Sequence, residues 1–366
     1  MPLLEGRSMI NLTSIPIIDI RDGGTLRHAR EGQARARALR DTCLDWFPGL
    51  SRPLLPLLDH FTKQWLVRSR APYVAEVEAI AMLLGFPGIW FLNGSYQWCC
   101  TALAREEGAA PWLVRTLDWP FPGLGRYVEI AHMRGPAGEF FNVTWPGYVG
   151  ALTALAPGRF AASINQAPLR RRTHGAWLRL YDLGVNTMST LLHVQDIPPD
   201  QLLRHVLENC RDFDNARQQL ETTPVARPVI YTLVGCAPGE RCVIERTEHN
   251  ARTRMDKTSA ANDWLVSTAQ WEARVGGGQI FARTFEEAAD NSRARRAALD
   301  AWPGCFARDS FAWLAPPVLN PFTRLAVEMC PANGTLRVIG YELLPGQDLP
   351  QPVTLPCEVR ASRAAA

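Results

Sequence analysis

The feature that most constrains the fold is a change of period near residue 100. Before it, "GGTLRHAREGQARARALRDTCLDWF" and "LLPLLDHFTKQWLVRSRAPYVAEVEAIAMLLGF" carry apolar residues at helical spacing. Pro53 and Pro72 mark helix starts or breaks, and "GFPG" at 85–88 closes the region. After it, "CTALA", "PWLVRTLDW", "RYVEIAHMR", "EFFNVTW", "YVGALTAL" and "RFAASINQ" are short runs separated by Gly and Pro, which reads as a string of antiparallel strands. Helices follow in "GAWLRLYDLGVNTMSTLLHV", "PPDQLLRHVLENC" and "DFDNARQQLETT", then strands in "PVIYTLVGC", "RCVIERTE" and "DWLVSTAQW". A helix, "TFEEAADNSRARRAALDAW", and late strands, "TRLAVEMCP" and "GTLRVIGYEL", finish the chain, with a loose Ala-rich tail expected after Pro356. Blocks of strands, then helices, then strands again predict packed layers, an α+β sandwich in place of a doubly wound sheet. With 366 residues, 47% of them hydrophobic, the chain can bury one large core or two ordinary ones.

Charge and cysteine usage exclude several classes. A net charge of +3, without a basic stripe beyond clusters such as Arg170-Arg171-Arg172, gives no electrostatic case for nucleic acid. No unbroken run of about 18 apolar residues argues a membrane span. The N-terminal stretch lacks the pattern of a secretory signal. Nine cysteines without a Cys-x-x-Cys pair read as reduced, mostly buried small residues, and the expected compartment is cytoplasmic. No metal-ligand spacing and no phosphate loop is present, since "VGGGQ" at 275–279 lacks the Lys-Ser/Thr of such a loop, so no cofactor is expected.

The seven histidines fall in no recognisable catalytic motif, and His132 reads as a satisfied structural residue within a strand. A nucleophile that works without histidine is a Cys, Ser or Thr at the head of a chain, where its own α-amino group acts as base. That amine has a pKa near ~8, suited to neutral pH. Cys99 and Cys100 stand where helical spacing gives way to strands. A cut before Cys100 would free such an amine and turn the preceding residues into a pro-segment.

From Cys100 to Asp118 the chain resembles the acid ceramidase and N-acylethanolamine acid amidase family of N-terminal-nucleophile hydrolases, through Cys-Thr followed by the Arg-x-x-Asp of "RTLD". "YVAEVEAIAMLLGFPGIWFLNGSYQWCCT" is similar to the end of that family's pro-segment, "WPGYVGALTALAPGRFAASIN" to its Gly-Tyr-Val-Gly segment, and "PVLNPFTRLAVEMCPANGTLRVIGY" to its closing strands. The resemblance implies a four-layer αββα fold, with residues 1–99 as a helical pro-segment and 100–366 as the catalytic part. It further implies hydrolysis of a small-molecule linear amide through a thioester on Cys100, with the two cleaved chains held as a heterodimer.

The same resemblance gives Cys100 the nucleophile's role and gives Arg115 and Asp118 the support of its thiolate and amine. A neighbouring guanidinium lowers a thiol pKa, and a carboxylate orients an ammonium. Gln166 stands where the family has an acidic residue, and an amide can hydrogen-bond but cannot take up a proton. Asn165 beside it is an expected oxyanion or substrate-carbonyl donor. Gln270, in "STAQWEA", is the expected replacement for the asparagine of the family's Thr-Asn-Tyr-Asp segment, and Arg293, in "NSRARR", matches its arginine, with Arg295 and Arg296 leaving the register open. Trp98, Trp119, Phe121, Trp145 and Tyr148 would suit an apolar acyl group. Two further readings stay open: acyl transfer to an amine acceptor, and an uncleaved relative that binds an acyl amide without turnover.

Overall fold

In the computed structural model of the chain, the structure describes residues 12–46, 49–94, 99–168, 170, 172–173, 179–266 and 285–361. Apolar residues at helical spacing form α1 (Gly24–Glu31), α2 (Gln33–Leu44), α3 (Leu55–Arg68), α4 (Val74–Leu84) and α5 (Ile89–Gly94). Their inward faces make a core of their own from Trp65, Leu66, Val77, Ile80, Ile89 and Trp90. The front of the chain is not wholly helical, however. β1 (Ile17–Asp19) precedes these helices and pairs in parallel with β4 (Glu129–Gly135). The flanking Ile15 and Ile20 lie in the main core.

After Cys99 the runs alternate as expected, giving β2 (Cys99–Glu107), β3 (Ala110–Asp118), then β4, β5 (Gly138–Thr144), β6 (Thr153–Ala156) and β7 (Phe160–Gln166). Helices α6 (Arg179–His193), α7 (Pro199–Asn209) and α8 (Phe213–Thr222) follow, then β8 (Val229–Val234), β9 (Arg241–Arg246), β10 (Ala251–Arg254) and the short β11 (Ser259–Ala260). Then come α9 (Phe285–Ala301), β12 (Thr323–Cys330), β13 (Thr335–Glu342), β14 (Gln351–Pro352) and β15 (Cys357–Arg360). Two expectations fail here. Asp263–Val266 are not a strand, the rest of that run lying outside the described residues. The tail is not loose at its start: β15 pairs antiparallel with β13, and its Val359 packs into the main core.

Among the described residues the strands form two sheets. One runs β1-β4-β5-β6-β7-β8-β9-β10, the other β11-β2-β3-β12-β13-β14, with β15 also on β13. Parity along β2 and β3 shows how the sheets stack. Cys100, Ala104, Leu113 and Leu117 face the other sheet in the main core. Leu103, Trp112 and Val114 face the opposite way, into a cluster with Leu299 of α9. Both faces are buried, so these strands read as nearly continuous apolar runs. α7 and α8 cover the first sheet through Leu203, Val206, Leu207 and Leu220, while α9 covers the second, completing the four-layer αββα order. No described helix is long and apolar enough to cross a membrane.

The front segment is tied to the rest by buried polar contacts as well as by β1. His28 Nε2 lies 2.5 Å from Glu129 Oε2, Tyr73 Oη donates to Glu208 Oε2 at 2.5 Å, and Arg204 donates to both oxygens of Glu76.

Candidate functional site

Cys100 is fully buried near the start of β2, opposite Leu117 of β3. The pairing places Arg115 two residues away along β3, diagonally across and on the same face as Cys100. There Arg115 Nη2 donates to Cys100 Sγ at 2.7 Å and to the Ile164 carbonyl at 3.0 Å, while Nη1 donates to Thr153 Oγ1. The guanidinium thus bridges the nucleophile's strand to β6 and β7 of the other sheet.

Asp118 lies three residues from Arg115, an odd step that turns it to the opposite face of the strand. It is fully buried there and accepts from Asn320 Nδ2 at 2.8 Å and from Thr323 Oγ1 at 3.0 Å. Burial pushes its carboxyl above the usual range, against the opposing pull of Arg295, Asn320 and Thr323. Arg295 Nη1 lies 3.6 Å from Asp118 Oδ2 and donates to the Cys100 carbonyl at 2.8 Å and to Thr101 Oγ1 at 2.6 Å. Asp118 therefore reaches the nucleophile's backbone through Arg295.

The third group around Cys100 is Asn262, which the sequence reading missed. Its Oδ1 accepts from the Cys100 N–H at 3.2 Å and from Arg295 Nη2 at 2.9 Å. Its Nδ2 donates to the Gln166 carbonyl at 2.9 Å. The sulfur, N–H and carbonyl of Cys100 are each held by a different side chain: Arg115, Asn262 and Arg295.

The other expected residues fall as follows. Arg293 does not join the site: more than half exposed, it pairs with Asp290 on the outer face of α9. Helical geometry explains the register, because Ser292, Arg295 and Leu299, spaced three and four apart, are the buried positions. Counting back four residues from apolar Leu299 would have found Arg295 in the sequence. Asn165 is buried next to the site, but Nδ2 donates to the carbonyls of Ala260 and Ala261, both at 3.2 Å, so its hydrogens anchor the β11 segment in place of serving an oxyanion. Gln166 is also buried, and its Oε1 accepts no hydrogen bond among the described residues. Gln270, Trp98 and the "VGGGQ" loop lie outside the described residues. Trp145 and Tyr148 are core residues bonded to the Leu124 carbonyl and to Asp200. His132 is structural as expected, bonded to Glu139 and stacked on Phe141.

Trp119 and Phe121, just beyond Asp118, line an apolar cavity of about 70 Å³ with Leu39, Cys43, Leu92 and Leu124. The loop that carries them is pinned by Glu342, whose Oε1 accepts from the Gly123 and Gly125 N–H groups, both at 2.9 Å. Gly125 is required there, because any side chain would collide with the Tyr341 backbone.

The electrostatics of the sulfur depart from the expected activation. Burial pushes the Cys100 thiol up to about 12, outweighing the opposite pull of Arg115. The raised value favours the neutral thiol in the fold, so its contribution to stability is present at neutral pH and is lost as pH rises from the ordinary thiol range toward about 12. In the unbroken chain, iodoacetamide at pH 7 is therefore expected to label Cys100 more slowly than the half-buried Cys236 and Cys305. Peptide mass spectrometry against labelling time checks this, and faster labelling of Cys100 would show that Arg115 prevails.

No family model matches the chain. It is 26% identical over 239 residues to the N-acylethanolamine-hydrolyzing acid amidase of Cavia porcellus, covering 63% of this chain and 60% of that one. It is 26% identical over 244 residues to the acid ceramidase of Heterocephalus glaber, covering 61% and 59%. The aligned region thus spans about 60% of the length of these curated relatives. Among solved structures, a Caenorhabditis elegans N-acylethanolamine-hydrolyzing acid amidase ortholog matches with a TM-score of 0.44 at 18% identity, over 64% of this chain and 93% of that one. A conjugated bile acid hydrolase from Clostridium perfringens matches with a TM-score of 0.39 at 10% identity, over 72% and 97%. By its sequence, the chain is a distant relative of the acid ceramidase and N-acylethanolamine acid amidase family.

Proposed function

We propose that this protein is a cysteine amidohydrolase that cuts itself before Cys100 and then hydrolyses a linear N-acyl amide with an apolar acyl group. The observation that carries this reading is the threefold hold on Cys100, with Arg115 on its sulfur, Asn262 on its N–H and Arg295 on its carbonyl. A purely structural cysteine has no need of two buried arginines.

Self-cleavage begins when the Cys100 sulfur attacks the Cys99 carbonyl. The C–N bond breaks, a thioester forms, and the thiol proton passes to the new amine. Water then adds to the thioester carbonyl, the C–S bond breaks, and the thiol is restored beside a free α-amino group. That amine stays next to Asn262 Oδ1 and serves as base for turnover. In turnover the sulfur attacks the substrate carbonyl, the amine half leaves with the proton, and water releases the acid from the second thioester.

The apolar cavity behind Trp119 and Phe121 supports an apolar acyl half. With ~0.8 kcal/mol per buried methylene, kcat/KM on acyl-aminocoumarins from C2 to C16 is expected to climb about fourfold per methylene until the cavity is full. A flat profile, or a preference for acetyl, would remove the apolar-acyl reading.

A second reading, an uncleaved acyl-amide binder, is favoured by Gln166, whose amide cannot relay a proton. If Gln166 sits in the maturation path, Gln166→Glu is expected to accelerate cleavage.

A further inference from the structure

Arg296 follows directly on the arginine that holds the Cys100 carbonyl, yet the proposed chemistry gives it no task. Its side chain is 11% exposed, and its guanidinium meets the Asp263 carboxylate edge to edge. Nε donates to Oδ1 at 3.1 Å and Nη2 to Oδ2 at 2.6 Å. A two-bond pair of this kind fixes orientation as well as distance. Asp263 is the residue after Asn262, whose Oδ1 accepts from the Cys100 N–H.

The pair is one of three grips by which α9 holds residues 259–263. Asp300 accepts from Ser259 Oγ at 2.8 Å, Arg295 donates to Asn262 Oδ1 at 2.9 Å, and Arg296 takes Asp263. From the other sheet, Asn165 bonds the carbonyls of Ala260 and Ala261, and Glu245 accepts from the Leu265 and Val266 N–H groups, both at 3.0 Å. Asn262 itself lies beyond the end of β11, so no strand ladder fixes its backbone. Its place depends on these side chains, and the Asp263–Arg296 pair is the anchor at the very next residue.

We infer that Arg296 is a positioning residue: through Asp263 it sets where the Asn262 carboxamide stands against the nitrogen of Cys100. In the unbroken chain, bonds on both sides restrict that nitrogen. After a cut the amine is tethered on one side only and its aim depends on Asn262, so the pair bears on turnover more than on stability. A misplacement near 1 Å at such a group costs up to about 100-fold in rate. The inference rests on the amidohydrolase reading for its effect on turnover, and on the geometry alone for the hold on Asn262.

Hydrogen exchange tests that hold without turnover, in the full-length Cys100→Ala chain, where the N–H of residue 100 remains an amide. Asn262→Ala in this background gives the exchange rate of that amide without its acceptor. Arg296→Gln is expected to raise the rate in the same direction by at least about tenfold, with the amides of residues 113–117 unchanged. With Cys100 intact, Arg296→Gln is expected to lower kcat on lauroyl-aminocoumarin by about tenfold or more, and to leave KM within about twofold. Asp263→Asn is expected to match it, the double variant to lose no more than either alone, and Arg296→Lys to recover part of the rate. Arg337→Gln controls for lost stability: its 3.0 Å pair with Glu328 joins β12 to β13 with an arginine as buried as Arg296, and its kcat is expected to hold. Unchanged exchange at residue 100 in Arg296→Gln, or an equal loss of kcat in Arg337→Gln, would overturn the assignment. If Arg296→Gln does not fold, Asp263→Asn carries both measurements. A wild type that hydrolyses no acyl amide would sink the amidohydrolase reading, and the exchange rates would still decide the positioning.

Discussion

Cys100→Ala is expected to remain one unbroken chain and to lose at least about four orders of magnitude in kcat on any acyl amide the wild type hydrolyses. The alanine removes the only atom that can form either thioester, yet it costs the fold little. Cys100 is buried, but its neighbours Ala104, Leu113 and Leu117 continue the apolar face, and the lost sulfur is small. Cys99→Ala is the matched control. Cys99 pairs with Asp118 on the opposite face of β2 and is only half-buried, so that variant is expected to mature and turn over. A dead Cys99→Ala beside an active Cys100→Ala would move the nucleophile by one residue. Gel mobility and a single-substrate rate measurement separate these outcomes.

The second large effect is expected at Arg295, with almost none at Arg293. Arg295→Ala strips a partner from Asp118, from the Cys100 carbonyl and from Asn262 at once. Leaving the Asp118 carboxylate buried without its cation is expected to cost about 3–5 kcal/mol of stability and more than 100-fold in turnover. Arg293→Ala alters an exposed pair with Asp290 and is expected to stay within about 0.5 kcal/mol of the wild type. Urea melts read the stabilities. Asn262→Ala separates the roles: it removes the acceptor of the Cys100 N–H and keeps the Arg295–Asp118 pair, so turnover is expected to fall further than stability does. Equal sensitivity of Arg293 and Arg295 would contradict the placement of α9.

How much of this was legible in the sequence depended on the range over which each signal acts. Cys100 and Arg115 were readable because a strand pairing of short connection brings them together, β2 and β3 being joined by a tight turn at Glu107–Ala110. Asp118 was readable as a site residue, but its route was not. The odd spacing sends it to the α9 side, and only the packed helix shows that Arg295 completes the link. Choosing between Arg293 and Arg295 was a matter of helical phase, available from Leu299 but hidden by the three closely spaced arginines of "RARR". Asn262 lay in no recognisable pattern, because its role depends on a loop returning from β11 to the head of β2. Strand periodicity located the two sheets well. It missed β1, β10, β11, β14 and β15, each too short for a period to register, whose places are set by their partners β4, β9, β2 and, for the last two, β13. For the thiol, the sequence shows the nearby charge of Arg115, whereas the opposing push of burial is visible only in the packed site.

The central claim, that Cys100 becomes the head of its own chain, is tested most directly by the intact mass of purified wild-type protein, followed by N-terminal sequencing of the larger piece. The account predicts two chains, residues 1–99 and 100–366, that co-purify and separate only on denaturation, with the larger beginning Cys-Thr-Ala. A single chain of 366 residues that nonetheless hydrolyses acyl amides would contradict it, because no free α-amino group would then exist beside the Cys100 sulfur.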